Sequence, residues 1–149
     1  MTEQEHEDGL QLVTAAACGL YEAVDESLKK GVSIHFEDDL PLRSASLVGN
    51  TEMVQYLVDK GANVQAAGNE ALLFAAKRQD DATVQYLLSK GADIDNMLRH
   101  HKAELNQDCL DTLDKYQSQK LREAFEKNFA KLPKPGKKIV LPRQKPPKP

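Results

Sequence analysis

Three glycines set the problem this chain must solve. Gly31, Gly61 and Gly91 stand 30 residues apart. Around the last two, Val54-Gln-Tyr-Leu-Val-Asp-Lys-Gly-Ala62 lies over Val84-Gln-Tyr-Leu-Leu-Ser-Lys-Gly-Ala92 with seven of nine positions identical. The same step stacks Leu12, Leu42 and Leu72, then Ala15, Ala45 and Ala75, then Val24, Val54 and Val84. It also aligns Leu28, Val58 and Leu88, and Ile34, Val64 and Ile94. A repeat of this length is one supersecondary unit that buries its apolar face only against its neighbours, so the pattern predicts a solenoid.

Each unit reads as two short helices and a turn. In the second unit, Leu42, Ala45 and Ser46 share a helical face, and Pro41 suits the first turn, where a missing N–H is harmless. The small pairs Ala15/Ala16, Ala45/Ser46 and Ala75/Ala76 let neighbouring helices approach closely. Gly49 breaks the chain, and Asn50 or Thr51 caps a second helix that turns Val54, Leu57 and Val58 to one side. Gly61 ends it in the left-handed position that favours glycine, and Ala62-Asn63-Val64 leads to the next unit.

On these residues the chain resembles the ankyrin-repeat family. Leu40-Pro41-Leu42-Arg43-Ser44-Ala45 is similar to that family's Thr-Pro-Leu-His-x-Ala, with Leu40 and Arg43 as departures. Lys60-Gly-Ala-Asn-Val64 and Lys90-Gly-Ala-Asp-Ile94 are similar to its Gly-Ala-Asp-Val ending. The period is 30 rather than the usual 33, and the missing residues fall in the hairpin loop. Such compact repeats resemble those of viral and bacterial ankyrin proteins. The resemblance implies an all-α solenoid of stacked helix pairs with three repeats over 10–36, 37–66 and 67–96, after an acidic segment 1–9. A degenerate capping repeat is expected over 97–128, with a first helix from Met97 to Leu105 and a second from Asp108 through Tyr116 and Leu121 to Phe125. A basic, proline-rich tail over 129–149 is expected to be disordered.

Charge separates body from tail. Of 20 Lys and Arg, seven lie beyond Asn128, where no acid occurs, leaving residues 1–127 with 13 bases against 23 acids, a net of −10. Six of the seven prolines also follow residue 132. The apolar runs are too short to cross a bilayer, and the acidic start Met1-Thr-Glu-Gln-Glu-His-Glu-Asp8 is unlike a secretory signal. Cys18 and Cys109 have no metal-site spacing and are too few for a disulfide framework. The expectation is a cytoplasmic protein, in its own cell or a host cell, monomeric alone.

Motifs for chemistry are sparse. The sequence has no phosphate-loop glycine cluster, no Gly-x-Ser-x-Gly elbow and no His-Glu-x-x-His pair. His100 and Glu104 share a helical face beside His101 but lack a third ligand nearby, so a solvated cap helix is the reading preferred over a metal site. His35 reads as a hairpin residue. Cys18 aligns with Val48 and Arg78 and is expected to be partly exposed and unreactive, with no His or Cys beside it. Asp38-Asp39 and Asp80-Asp81 read as turn and capping residues rather than catalytic pairs. No enzyme, cofactor or metal ion is expected.

Function then rests on binding. The resemblance implies a concave surface built from hairpin tips and the exposed side of each first helix. Carried over position by position, the tips are Glu37, Asp38 and Asp39, then Ala67 and Asn69, then Asp95 and Asn96. The helix positions are Leu47 and Val48, then Lys77 and Arg78. Arg43 stands where the family has a histidine and reads either as a buried-edge donor or as a contact. Leu47 and Val48 are apolar where polar residues are usual. They read either as an interface core with a charged rim or as packing against the next unit. Tyr56 and Tyr86 recur on the second helix and read as structural. Shortened hairpins imply a shallow groove.

The tail, from Leu132 to Pro149, cannot build a core. Arg143-x-x-Pro146-x-x-Pro149 fits the basic pattern of SH3 ligands. Lys137, Lys138, Arg143 and Lys145 suit an acidic protein, an anionic lipid or a nucleic acid. Ile139-Val140-Leu141 is a short apolar island, and a simple solubilising linker is the plainest reading. Two functions follow. The first is an adaptor or inhibitor that binds another protein through the concave surface, without a small-molecule substrate. The alternative is a peripheral nucleic-acid- or membrane-associating protein whose tail supplies the affinity.

Overall fold

A computed structural model describes residues 1–129. The described chain is helical: α1 (Glu3–Cys18), α2 (Tyr21–Lys29), α3 (Phe36–Val48), α4 (Thr51–Asp59), α5 (Ala66–Lys77), α6 (Asp81–Ser89), α7 (Ile94–His100), a 3-10 turn (Lys102–Glu104) and α8 (Gln107–Phe129). None of these helices is long and apolar enough to cross a membrane. Met1–Tyr116 forms one compact unit, and α8 passes at Gln117 into a second.

Within the first unit the helices pair as α1–α2, α3–α4 and α5–α6, while α1, α3, α5 and α7 stack in a layer of their own. The columns read from the sequence are its core. Leu12, Leu42 and Leu72 are buried, as are Ala15, Ala45 and Ala75, and Val24, Val54 and Val84. Burying a leucine or valine side chain contributes roughly 1.5–3 kcal/mol, so each column stabilises the stack and no single unit contains enough of it. Gly31, Gly61 and Gly91 occupy equivalent corners, with φ of 93°, 103° and 99°, a region that a Cβ disfavours.

Two of the three second helices, α4 and α6, carry side-chain caps, while α2 starts after Leu20 without one. Asn50 Oδ1 accepts from the Met53 amide at 3.0 Å, and Asp80 Oδ1 accepts from the Thr83 amide at 3.2 Å. Asp80 also accepts from the Thr51 hydroxyl at 3.2 Å, a bond between adjacent units. The acidic stretch at the start is helical: Thr2 and Glu5 form a reciprocal capping box, and α1 runs from Glu3.

The hairpins are where the structure departs from expectation. Glu37, Asp38 and Asp39 all adopt left-handed backbone (φ 45°, 55° and 58°), and so do Ala67, Gly68 and Asn69 (φ 49°, 65° and 65°). With three residues missing per repeat, the chain makes one left-handed turn instead of a hairpin. Left-handed backbone costs roughly 1–2 kcal/mol per ordinary residue and less for Asn or Asp. The last residue of each turn returns part of that cost. Asp39 Oδ1 accepts from the Asn63 amide at 2.7 Å, and Asn69 Oδ1 from the Asp93 amide at 2.8 Å. Each bond ties the turn to the segment that leads out of the unit's second helix toward the next unit, and both side chains are buried. Asp39 also meets His35 Nδ1 at 3.0 Å, and Asn69 Nδ2 donates to Asn96 Oδ1 at 2.9 Å.

The fourth unit has no such turn. Asp93 caps the Asn96 amide at 3.1 Å, so α7 starts at Ile94, three residues before the expected Met97. It ends at His100, before the expected Leu105. His101 closes that end, with Nε2 2.9 Å from the Ala67 carbonyl oxygen and Nδ1 3.0 Å from Glu104. Asn106 caps the Cys109 amide at 2.9 Å. Cys109 and Leu113 complete the core, and burial pushes the Cys109 thiol pKa up.

Across the second helices the contacts are longer and polar. Tyr56 donates to Asp25 Oδ1 at 2.7 Å, Lys60 Nζ lies 3.1 Å from the same oxygen, and Tyr21 packs edge-on against Tyr56 at 5.0 Å. Tyr86 donates to the Gln55 carbonyl at 3.4 Å. These partners support the structural reading of both tyrosines. The Tyr56 hydroxyl first, and Lys60 second, hold the Asp25 carboxyl below its ordinary pKa of 3.8.

Two outcomes follow. Asn69→Ala removes the acceptor of the Asp93 amide and puts a less tolerant residue in left-handed backbone. It should destabilise the fold by about 1–3 kcal/mol in urea titration, whereas Asp39→Asn, which keeps an acceptor for Asn63, should lose far less. The Asp25 pKa is depressed on folding, so its contribution is present above the unfolded value and disappears as pH falls through the folded one. Asp25→Asn should therefore be less stable than the parent at pH 7, with the gap in Tm closing below pH ~4.

Candidate protein-binding surface

The stack is closer on one side than on the other. Neighbouring first helices touch along their lengths through Ala15/Ala16, Ala45/Ser46 and Ala75/Ala76, while α4 and α6 meet sparsely. Buried Ser46 donates to the Ala71 carbonyl at 3.0 Å and fixes the α3–α5 approach. The first-helix layer is thus the closely packed one and the second-helix layer the looser one.

Leu47 and Val48 stand at the C-terminal end of α3 and are 51% and 45% exposed. Half their surface therefore remains in water despite the units on either side. Val48 lines an open depression with Ala17, Gly49, Asn50, Thr51 and Glu52. Beyond it, Arg78 Nη1 donates to the Leu47 carbonyl at 3.3 Å. The guanidinium lies so close over Gly49 that a Cβ there would meet Arg78 Nε at 2.6 Å. Gly49 thus both terminates α3 in left-handed backbone (φ 81°) and seats the arginine. Lys77 Nζ lies 3.7 Å from Glu104. The Glu104 carboxyl is held below its usual pKa first by His101 and then by Lys77. One turn before these cations stands half-buried Phe74, which aligns with Thr14 and Ser44.

The acidic end is separate. Glu37 and Asp38 are exposed at the other end of α3, with Glu37 3.6 Å from His6. At 1.5 Å per residue, about 10 Å of right-handed helix, from Leu40 to Leu47, lies between that turn and Leu47. Asp95 is exposed in the first turn of α7. The apolar pair is therefore flanked by Arg78 on one side and by Glu52 in the depression on the other, with the turn acids at a distance.

Three expected contact residues are committed elsewhere. Asp39 and Asn69 are 3% and 1% exposed, because the left-handed turn rotates them inward to bond the backbone that leads toward the next unit. Neither belongs to a partner surface. Arg43 is the buried-edge donor: its Nε pairs with Glu70, and Nη1 donates at 3.1 Å to the Glu37 carbonyl, whose usual helical donor would be the N–H that Pro41 lacks. Asn96 is held by Asn69. The signal for the Arg43–Glu70 pair was present, since Glu70 replaces leucine in the column of Leu10 and Leu40.

Among the described residues no group of three or more His, Cys, Asp or Glu side chains is arranged to hold a metal ion. His100 Nδ1 lies 2.9 Å from the Asn96 carbonyl oxygen and His101 bridges Ala67 and Glu104, so both imidazoles are engaged in the fourth unit's structure. Cys18 is exposed. The tail residues Lys137, Lys138, Arg143 and Lys145 lie outside the described residues.

No curated protein matches this sequence. A family model for ankyrin repeats (three copies) matches residues 12–97, more than half of the chain. The match spans the turns at Gly31, Gly61 and Gly91, all three buried leucine, alanine and valine columns, and the first-helix layer that carries Leu47 and Val48. The chain belongs to the ankyrin-repeat family, whose members generally serve as protein–protein interaction modules.

Proposed function

We propose that this protein works as a stoichiometric adaptor or inhibitor, gripping another protein with the first-helix surface and transforming nothing. The observation that carries the reading is the half-exposed Leu47–Val48 pair, presented on a rigid helix end beside a depression and next to Arg78. An apolar centre with a polar and cationic margin is the arrangement in which few residues supply most of the binding energy. A single left-handed turn per unit provides no long fingers, so the partner meets a shallow, firm surface. Glu37, Asp38 and Asp95, exposed at the turn end, supply charges suited to steering and register more than to affinity.

Binding also fits the lack of assembled chemistry among the described residues. The imidazoles face backbone carbonyls or carboxylates, and the capping acids hold helix ends. The reading applies to the cytoplasm of either the protein's own cell or a host cell.

The test is affinity purification of the full-length chain with mass spectrometry, followed by titration against the partner so identified. Leu47→Asp with Val48→Asp should weaken binding by roughly thirtyfold or more, about 2 kcal/mol, with unchanged far-UV circular dichroism. Lys77→Glu with Arg78→Glu should weaken it less and reduce its salt dependence. Removing residues 130–149 should leave capture intact. Capture that disappears with the tail and falls steeply with salt, while ignoring Leu47 and Val48, would establish the tail-driven nucleic-acid or membrane alternative.

A further inference from the structure

At one end of the described stack, α1 and α2 present an outer face that exposes apolar side chains. A terminal repeat bordering solvent normally carries a polar outer surface. Here Leu10 is 42% exposed and Leu20 54% exposed, and both line an open groove between α1 and α2 with Thr14 and Ala23. Glu3 and Glu7 line the same groove. Residues 3, 7, 10 and 14 recur at helical spacing, so the carboxylates and Leu10 share one stripe of α1.

The repeat shows what such a face is built for. Thirty residues on from Ala23 stands Met53, and thirty beyond that Thr83, both fully buried. The positions after Gln11 are Pro41 and Ala71, also buried. In those units the preceding helix pair covers the surface. In the first unit the described chain supplies no cover, and Leu20 stands where the later units have the polar Asn50 and Asp80.

We propose that this groove is a second docking site, which receives a basic amphipathic helix of a partner protein. Its apolar side would lie on Leu10, Leu20 and Ala23, and Lys or Arg beside that stripe would meet Glu3 and Glu7, the helix-in-groove mode with complementary charge. Charge selects the occupant. Among the groove's lining residues the full charges are those two carboxylates, with His6 beside them, and residues 1–127 carry a net −10. A second copy of this face would bring acid against acid, whereas a cationic helix is attracted before it docks. The site lies on the end of the stack, apart from Leu47 and Val48, so it stands or falls separately from the first-helix surface.

The probe is an amidated helix-forming peptide with leucine at i, i+3 and i+4 and lysine elsewhere, paired with a control that carries glutamate in place of lysine. Titrated into the 15N-labelled full-length chain, the lysine peptide should shift amides in residues 3–23 and leave those of α5 and α6 in place. The glutamate peptide should not bind. Leu10→Gln with Leu20→Gln, both exposed in the parent, should keep the circular dichroism and Tm yet weaken binding about tenfold or more. Glu3→Gln with Glu7→Gln should flatten the salt dependence. The proposal is overturned if the lysine peptide shifts amides mainly elsewhere or none at all, or if the Leu10/Leu20 variant binds equally well. It is also overturned if sedimentation shows a dimer of the chain that the same variant dissociates.

Discussion

The interaction on which the stack depends is a side-chain amide or carboxylate at the end of a left-handed turn, bonded to the backbone of the segment that leads from the same unit's second helix into the next unit. Asp39 and Asn69 make it, at 2.7 and 2.8 Å. A hairpin satisfies its own backbone groups and needs the residues to do so. A 30-residue period does not supply them, and the chain reverses through three left-handed residues instead. That turn stores strain, and the bond to the segment entering the next unit offsets part of it. Turn geometry and the path into the next unit are thereby coupled.

From this follows an asymmetry between the two helical layers. First helices approach through alanine and serine, and Ser46 donates directly to a neighbouring carbonyl. Second helices, less closely packed, are bridged by longer groups: Tyr56 to Asp25, Tyr86 to the Gln55 carbonyl, Thr51 to Asp80. That difference leaves the tyrosine hydroxyls of α4 and α6 serving the stack, while the ends of the first helices retain exposed side chains.

Much of the fold was legible because burial in a repeat is periodic. Columns such as Leu12, Leu42 and Leu72 declare a core without any knowledge of the path between them, and glycines at equal spacing declare its corners. The conformation of the turns was not legible. Shortening shows that something replaces the hairpin, yet Asp39 and Asn69 carry the same polar character whether they face a partner or an amide of the segment entering the next unit. Only the backbone rotation separates the two cases. Arg43 illustrates the same limit, since its partner Glu70 lies on the adjacent helix, 27 residues away, and is visible in the sequence only as a disturbed column. The start of α7 escaped for the converse reason: Asp93 caps a helix directly and no turn intervenes. Leu47 and Val48 were legible as anomalies, since they are large apolar residues in columns that turn to the cations Lys77 and Arg78 one unit later.

The two apolar exposures of this body differ in what maintains them in water. At the end of α3, the leucine and valine are framed by Arg78 and by a glycine that the arginine covers, so the pair is displayed by groups that hold the local backbone still. At the first unit the leucines are exposed because the repeat geometry leaves a slot and the described chain provides nothing to fill it. On the proposed readings, the net −10 of residues 1–127 would hold two such bodies apart where screening is incomplete and would favour cationic partners on approach. Apolar contact alone would accept any greasy surface, so the geometry of each site would then decide which partner stays.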